Sequence, residues 1–154
     1  MNAYKILILI GLLLGYNSCK KNNSKNEANL LAKKYVLTSG NYTGLWNSKT
    51  TNRSFTDLPV STIIKEVAPG QYTGSFFISN NFTSCCNSGD NDGVISFNIK
   101  ENILRDFKYN DIIPNCNGLF IGNGKLPEDN SIIISITGTD CDGDHTGTIT
   151  LSKK

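Results

Sequence analysis

The fold is decided by residues 93–109, GVISFNIKENILRDFKY. In the first half, Ile95, Phe97 and Ile99 alternate with polar residues, and successive side chains of a β-strand point to opposite faces. The stretch therefore predicts a strand with one apolar face, a short joint at 100–101 and a second strand after it. A joint this short favours antiparallel pairing of the two strands.

Similar alternation recurs about every ten to fifteen residues and predicts eight strands. Turn-forming residues such as Pro69-Gly70 and Asp92-Gly93 separate them. Short joints favour an antiparallel meander, and closing the meander removes exposed strand edges. We therefore predict an all-β fold, an eight-stranded antiparallel up-and-down β-barrel. The predicted strands span residues 41–47, 61–68, 71–79, 93–100, 102–109, 118–126, 131–139 and 146–152.

Alternation also predicts which side chains point into the barrel. Further apolar rows are Phe76 with Ile78, Ile103 with Phe107, Ile132 with Ile134 and Ile136, and Ile149 with Leu151. Gly118, Gly122 and Gly124 share one face of a single strand, where bulky side chains would oppose curvature. Eight strands enclose a space that is either filled by side chains or holds one small ligand, which here would be hydrophobic.

Gly44-Leu45-Trp46 lies on the first predicted strand. This Gly-x-Trp pattern, followed by an eight-strand meander, resembles the signature that opens lipocalins and the wider calycin group. The resemblance covers residues 40–152 and implies that Trp46 closes the barrel floor. A ligand inside such a barrel would contact Trp46, Phe76, Phe97 and Phe107. The alternative is that Trp46 is a core residue of another small β fold.

Cys19 follows an apolar run at residues 6–15, which is preceded by Lys5, and this is the layout of a secretory signal. The run makes about 15 Å of helix, half of a hydrocarbon core roughly 30 Å thick, so a permanent membrane span is not expected. Ser18-Cys19 resembles the lipobox of bacterial lipoproteins, in the relaxed form of Bacteroidetes-like sequences, where the cysteine carries the lipid. The alternative is a chance cysteine behind an ordinary signal peptide. The expected domains are a signal peptide at 1–18, a lipid-anchored linker at 19–36 and a β-barrel at 37–154.

The predicted linker is polar and basic. Between residues 20 and 34 it carries five lysines and one glutamate, whereas residues 35–154 hold nine basic and twelve acidic residues. Such a segment cannot bury enough apolar surface to offset its ordering entropy, so we expect a tether. Its lysines would either attract anionic headgroups, at about 1 kcal/mol each, or only keep the linker extended. In the Bacteroidetes-like lipoproteins that this segment resembles, an acidic stretch after the cysteine marks export to the cell surface. Lys20-Lys21 stand there instead, so the resemblance implies attachment to the bacterial outer membrane on its periplasmic side.

Four cysteines follow the lipid-anchor position, and export to an oxidising compartment favours disulfides. If the sixth and seventh strands form a hairpin about residues 128–129, Cys116 and Cys141 face each other at a separation suited to a bridge. The closed loop of about 25 residues would stabilise the fold by roughly 3 kcal/mol. Cys85 and Cys86 could form a vicinal bridge, stay reduced, or pair with the other two in a different connectivity.

The sharpest chemical feature of the domain is an acidic loop. Asp140, Asp142 and Asp144 occupy alternating positions, which resembles the opening of a calcium loop, where carboxylates converge on a hard cation. Glycine at position four instead of six, and no glutamate at position twelve, depart from that pattern. Asp and Gly also favour tight turns without an ion, so a calcium site and an unoccupied turn are the alternatives. The same two alternatives apply to the acidic turn at 88–93. No other cofactor is expected.

Several function classes are not expected. The chain lacks the Gly-x-Ser-x-Gly, phosphate-loop and dinucleotide patterns, and its single histidine, His145, has no recognisable nucleophile beside it, so we expect no enzyme. Basic residues of the domain are scattered, so nucleic acid is not an expected partner. Two classes remain. One is a lipid-anchored, lipocalin-like module that binds a small hydrophobic ligand; the other is a packed barrel that binds or inhibits another envelope protein through its loops, similar in outline to periplasmic lysozyme inhibitors.

Overall fold

The computed structural model describes residues 36–78, 91–112, 117–127 and 131–154. Each strand pairs antiparallel with the next, and β8 pairs with β1, so the prediction of a closed eight-stranded up-and-down barrel is confirmed. The predicted signal peptide and Cys19 lie outside the described residues, among which no helix is long and apolar enough to cross a membrane. The strands are β1 Gly40–Lys49, β2 Ser54–Ala68, β3 Gln71–Ile78, β4 Asn91–Lys100, β5 Ile103–Asp111, β6 Leu119–Lys125, β7 Ser131–Asp140 and β8 Gly143–Lys153.

β2 begins at Ser54, well before the predicted start at residue 61. Its first half escaped prediction because Phe55 and Leu58, both buried, lie three residues apart instead of two. Asp57 between them has a φ of 53°, and the β1–β2 register shifts here. This is a β-bulge, in which an extra residue changes the side-chain alternation. The Asp57 backbone N–H donates to Asn47 Oδ1 at 2.9 Å, which holds the bulge.

A second bulge corrects the predicted interior of β5. Ile103 and Phe107 were expected on one inward face, but Ile103 is 42% exposed while Leu104 and Phe107 are fully buried. The β5–β6 register shifts between Leu104 and Phe107, where Asp106 has a φ of 54°. The prediction for Ile103 is therefore wrong, because simple alternation does not hold across a bulge.

The glycines of β6 lie on the inward face, together with the buried Phe120. A Cβ on Gly122 would collide with the backbone oxygen of Ser135, and a Cβ on Gly124 with that of Ile133. Gly118 precedes the strand, which begins one residue later. The missing side chains allow neighbouring strands to approach closely, so the predicted role of these glycines in curvature agrees with the packing.

The barrel has two ends that differ in their connections. At the end where β1 begins, which we call the mouth end, lie the β2–β3, β4–β5 and β6–β7 connections. At the opposite end, which we call the loop end, lie the β1–β2, β3–β4, β5–β6 and β7–β8 connections. By sequence, Cys85 and Cys86 belong to β3–β4, Cys116 to β5–β6 and Cys141 to β7–β8. The topology therefore assigns all four cysteines to loop-end connections.

Candidate functional site

The barrel interior contains the four side chains predicted to contact a ligand. Trp46, Phe76 and Phe107 have no exposed surface, and Phe97 is 3% exposed. The ring centroids of Trp46 and Phe76 are 6.3 Å apart, and those of Phe97 and Phe107 are 6.4 Å apart. These distances lie within the range of direct aromatic contact. The four rings thus contact one another in pairs, and their role in binding a ligand remains a prediction.

Further rings surround Trp46. Phe120 meets it edge-on at 4.9 Å between centroids, and Tyr109 does so at 6.0 Å. Tyr109 also contacts Phe76 at 4.9 Å. Edge-on and tilted contacts of this kind are favourable because the positive edge of one ring faces the negative face of another. The half of the interior near the loop end is therefore occupied by a cluster of contacting aromatic side chains.

A buried chain of hydrogen bonds lies beside this cluster. Trp46 Nε1–H donates to Ser48 Oγ at 2.8 Å, and Ser48 Oγ lies 3.2 Å from His145 Nδ1. His145 Nε2 lies 2.9 Å from Asp140 Oδ1. Ser48 and His145 are buried, and the side chain of Asp140 is only 4% exposed. We call Trp46, Ser48, His145 and Asp140 the polar seal. Their hydrogen bonds connect the aromatic cluster to the turn between β7 and β8.

The indole at one end of the polar seal and the carboxylate at the other allow all its hydrogen bonds to run in one direction. An indole N–H can only donate, so Ser48 Oγ accepts from Trp46 and its own hydroxyl hydrogen is available to His145. In the tautomer of His145 that carries its hydrogen on Nε2, Nδ1 accepts from Ser48 and Nε2–H donates to the Asp140 carboxylate, which can only accept when ionised. Every polar group of the chain thus has a partner of the correct kind. Removing one member would leave the others buried and unsatisfied, which is costly.

Aromatic rings cover the polar seal. Phe55 stacks on the His145 ring at 5.3 Å, and Phe120 meets that ring edge-on at 5.5 Å. The Arg53 guanidinium lies over the Phe55 ring, 5.0 Å from its centroid, and pairs with Asp142 at 3.2 Å. The Ser–His–Asp order resembles the relay of a serine hydrolase. Because these rings enclose it and Trp46 donates to the Ser48 oxygen, we interpret the seal as a structural closure of the loop end.

The three carboxylates of the predicted calcium loop contact different protein groups. Asp140 accepts from His145 and from the backbone N–H of Asp142, Asp142 pairs with Arg53, and Asp144 accepts from the Thr139 hydroxyl at 2.7 Å. Within the described ranges no three His, Cys, Asp or Glu side chains are grouped so that they could hold a metal ion. The acidic turn at 88–93 lies largely outside those ranges, and the calcium site remains a prediction.

Metal removal tests that prediction. Because each carboxylate of Asp140, Asp142 and Asp144 already has a protein partner, we expect EDTA to leave the melting temperature unchanged in a thermal scan followed by circular dichroism. Added Ca²⁺ should likewise have no effect, since a ligand raises stability only when it binds the native state. A melting temperature that falls with EDTA and returns with Ca²⁺ would show that the loop binds calcium.

The predicted hairpin of β6 and β7 is present, but its register differs by one residue. Leu119 pairs with Thr139, whereas the register that sets Cys116 opposite Cys141 would pair it with Gly138. A one-residue shift is enough to lose direct opposition. Cys141 is disulfide-bonded, and the other four cysteines of the chain lie outside the described residues. The pairing of Cys141 with Cys116 therefore remains a prediction, and the strand register no longer supports it.

The mouth end is closed by residues that the sequence patterns did not indicate. Leu37, three residues before β1, is buried among the core side chains. The Tyr42 hydroxyl donates to the Thr38 carbonyl at 2.7 Å, and the Tyr72 hydroxyl donates to the Leu37 carbonyl at 3.3 Å. The Tyr72 ring in turn stacks on Phe97 at 5.3 Å. Both ends of the described barrel are therefore occupied by side chains.

The two tyrosines of the mouth end predict a loss of stability at alkaline pH. Burial raises the pKa of Tyr42 above its ordinary value, although its contact with Thr38 acts in the opposite direction. Burial also raises the pKa of Tyr72, and the nearby Glu66 carboxylate adds to the increase. An acid whose pKa is raised by folding stabilises the native state in its protonated form. This contribution is complete below about pH 10 and is lost as the pH rises through the raised pKa values.

We therefore expect the urea midpoint to be steady from about pH 8 to pH 10 and to fall above it. The matched control is the double variant Tyr42→Phe with Tyr72→Phe, in which the fall should be much smaller. Equal alkaline losses in the native and double-variant proteins would show that these two phenols do not cause it.

Sequence reasoning missed the polar seal, although two signals for it were present. Ser48 lies two residues after Trp46, so both side chains fall on one face of β1. His145 has the same parity as Ile149 and Leu151 on β8, which were correctly assigned to the interior. Extending that alternation to the beginning of β8 would have placed the histidine inside the barrel.

No protein-family model, curated protein or solved structure matches the chain. The closed eight-stranded barrel fits a lipocalin-like fold. Trp46 of the Gly-x-Trp pattern is buried inside it near the loop end, and its role as the barrel floor remains a prediction. Functional inference therefore depends on the geometry of the described residues and on the sequence.

Proposed function

We propose that this protein is a non-catalytic, lipid-anchored lipoprotein of the bacterial envelope whose packed, lipocalin-like barrel binds another envelope protein through its loop end. The observation that carries the proposal is the filled interior. Trp46, Phe76, Tyr109 and Phe120 contact one another where a lipocalin-like ligand would lie. The interior of an eight-stranded barrel is either filled by side chains or holds one small ligand. When side chains fill it, a partner can bind only to the outer surface and the loops.

The arrangement of the two ends supports this assignment. The described chain begins at the mouth end, because Leu37 and the first residue of β1 lie there. The loop end is the opposite end of the barrel. It carries four connections, including those with the acidic residues and the four cysteines, and loops on a rigid scaffold commonly carry binding residues. We therefore assign the partner site to the loop end.

Site-specific cross-linking tests the partner site. A photo-reactive amino acid is introduced at Asn52, exposed in the β1–β2 connection of the loop end, and in a matched control at Glu101, exposed in the β4–β5 turn of the mouth end. Irradiation of intact cells should give a discrete protein adduct from position 52 and none from position 101. Adducts of equal yield at both positions, or at 101 alone, would contradict binding through the loop end.

The lipid anchor has its own test. Labelled palmitate should enter the native protein and be absent from the Cys19→Ala variant. The acyl chains would be attached at the Cys19 thiol and at the Cys19 amine, which becomes free when the signal peptide is cleaved. The matched control is Cys141→Ala, which removes another cysteine and should keep the label. Label retained in Cys19→Ala would show that this residue is not the lipidation site.

The second candidate function is binding of a small hydrophobic ligand inside the barrel. The closed eight-stranded architecture favours it, because barrels of this size hold one small ligand in several families. Under this hypothesis Trp46, Phe76, Phe97 and Phe107 would have to separate to admit the ligand. The two functions differ in whether the protein carries an apolar guest, which is the measurement described at the end of the Discussion.

A further inference from the structure

We propose that the outer wall of the barrel, from β3 to β7, carries a binding site for a neutral saccharide, centred on Asp106. This site is separate from the barrel interior and from the partner site at the loop end. Its evidence comes from two concavities in the wall, from a bulge that fixes one carboxylate between them, and from hydrogen-bonding groups that still have capacity to bind.

Two neighbouring concavities lie in this wall. The first has a volume of about 440 Å³ and lies over β5, β6 and β7, and the second has a volume of about 300 Å³ and lies over β3, β4 and β5. Asp106 and Lys108 line both, so the concavities meet at β5. Because strands are about 4.8 Å apart, the pair extends roughly 19 Å along the wall. Both volumes lie within the range of about 300–1,000 Å³ that is usual for small-molecule sites.

A β-bulge places Asp106 where the concavities meet. It turns two successive residues of β5, Arg105 and Asp106, to the outer face. The φ of Asp106 is 54°, which is uncommon for a residue other than glycine. Its backbone N–H donates to Asn123 Oδ1 at 3.3 Å, and its Oδ2 accepts from Asn98 Nδ2 at 3.0 Å. The carboxylate is therefore held in position, and bulges often direct a side chain in this way next to functional sites.

The groups around Asp106 can form further hydrogen bonds. Among the residues that the structure describes, Asp106 Oδ1 and Asn98 Oδ1 have no donor, and Asn123 Nδ2 and Lys108 Nζ have no acceptor. The site thus offers both acceptors and donors to a ligand. A hydroxyl group donates one hydrogen bond and accepts others, so a ligand with several adjacent hydroxyls matches this mixture. A saccharide is such a ligand.

Each concavity also has an exposed aliphatic side chain. Ile121, which is 50% exposed, lines the first, and Val67, which is 63% exposed, lines the second. The C–H groups of a sugar ring are apolar and can pack on these side chains while its hydroxyls reach the polar groups. Covering exposed aliphatic surface in this way is favourable.

The charges of the site favour a neutral ligand. The charges of Asp106 and Lys108, which line both concavities, cancel. A zwitterion could pair with both, but exposed ion pairs contribute only about 0–1 kcal/mol. Many of the other polar side chains that line the concavities are neutral amides and hydroxyls, among them Asn98, Asn123 and Thr137. A neutral ligand with several hydroxyls can use these groups as well as the charged ones.

The test uses the full-length protein in a detergent without sugar groups, and a panel of neutral trisaccharides: maltotriose, cellotriose, mannotriose and triacetylchitotriose. Binding is followed by NMR shifts of the Asn98 and Asn123 side-chain amides. At least one trisaccharide should bind, whereas zwitterionic diglycine should not.

Asp106→Gly should weaken trisaccharide binding about tenfold or more, because it removes a charged hydrogen-bond acceptor. Glycine adopts a positive φ readily, so the bulge should remain. Asp57→Gly is the matched control, because Asp57 is also an exposed bulge residue, with a φ of 53°. It lines neither concavity, and its replacement should leave the affinity unchanged.

Three results would overturn the proposal. The first is that no trisaccharide of the panel shifts the two amides. The second is an affinity that Asp106→Gly leaves unchanged, or that Asp57→Gly lowers equally. The third is binding of diglycine without binding of any trisaccharide, which would indicate a site for zwitterions. If Asp106→Gly does not fold, Lys108→Ala replaces it, since Lys108 is exposed. Lys108→Ala should weaken binding severalfold, and an unchanged affinity would equally overturn the proposal.

Discussion

Replacement of Trp46 by alanine is expected to lower the free energy of unfolding by about 3–5 kcal/mol. The side chain has no exposed surface and contacts Phe76, Tyr109 and Phe120, so its loss would leave a cavity that these rings cannot fill without moving. Small domains are commonly stable by only about 5–15 kcal/mol, so a large fraction of the protein could unfold. Urea denaturation followed by circular dichroism measures the change, because the variant lacks the only tryptophan.

The matched control for this substitution is Leu45→Ala. Leu45 directly precedes Trp46 on the same strand, but its side chain faces outward and is 42% exposed. Its loss should change the free energy of unfolding by no more than about 0.5 kcal/mol, as is usual for surface positions. Similar losses in the two variants would contradict the assignment of Trp46 to a filled interior.

Replacement of His145 by alanine is expected to cost about 3 kcal/mol or more, because two buried polar groups lose their hydrogen-bond partner. Without the imidazole, the Asp140 carboxylate and the Ser48 hydroxyl each lose a partner at positions from which water is largely excluded. Phe55 and Phe120 also lose the ring on which they pack. The measurement is again the urea denaturation curve, and Asp144→Ala is the control, since Asp144 is exposed in the same hairpin.

A double-mutant cycle makes the test of the polar seal specific. We expect Asp140→Ala combined with His145→Ala to destabilise less than the sum of the single variants, with a coupling of about 1–3 kcal/mol. The reason is that each single substitution already removes the bond between the two side chains. Additive losses would show that Asp140 and His145 stabilise the barrel independently, and the interpretation of the seal as one connected chain would be wrong.

Strand pairing was predictable because most of the barrel follows simple alternation. In the second half of β4 and of β8 apolar and polar residues alternate, and Ile95, Phe97, Ile149 and Leu151 are all buried as expected. The errors occur where the backbone interrupts the alternation. Asp57 and Asp106 adopt positive φ angles that favour glycine, so their sequence gives no sign of a bulge. A bulge changes the facing of all residues beyond it, as the exposure of Ile103 illustrates.

The candidate site was predictable only in its apolar part. Aromatic residues at alternating positions indicate a core, so Trp46, Phe76 and Phe107 could be assigned to the interior from the sequence. The polar seal depends instead on contacts between distant strands, since Ser48 on β1 meets His145 on β8. The one-residue error in the β6–β7 register could have been avoided. Gly122 and Gly124 pair with Ile136 and Ile134, so the inward positions of both strands are even-numbered. A register that opposes Cys116 and Cys141 pairs even with odd positions and would set inward residues opposite outward ones.

Native mass spectrometry of the protein purified from the cells that produce it tests whether side chains fill the barrel interior. We expect the mass of the covalent protein and no further molecule, because Trp46 contacts Phe76 and Phe97 contacts Phe107 inside the barrel. A stoichiometric, non-covalent apolar guest of lipid size, lost when Phe76 or Phe107 is substituted, would contradict it. That result would establish the barrel as a ligand-binding module.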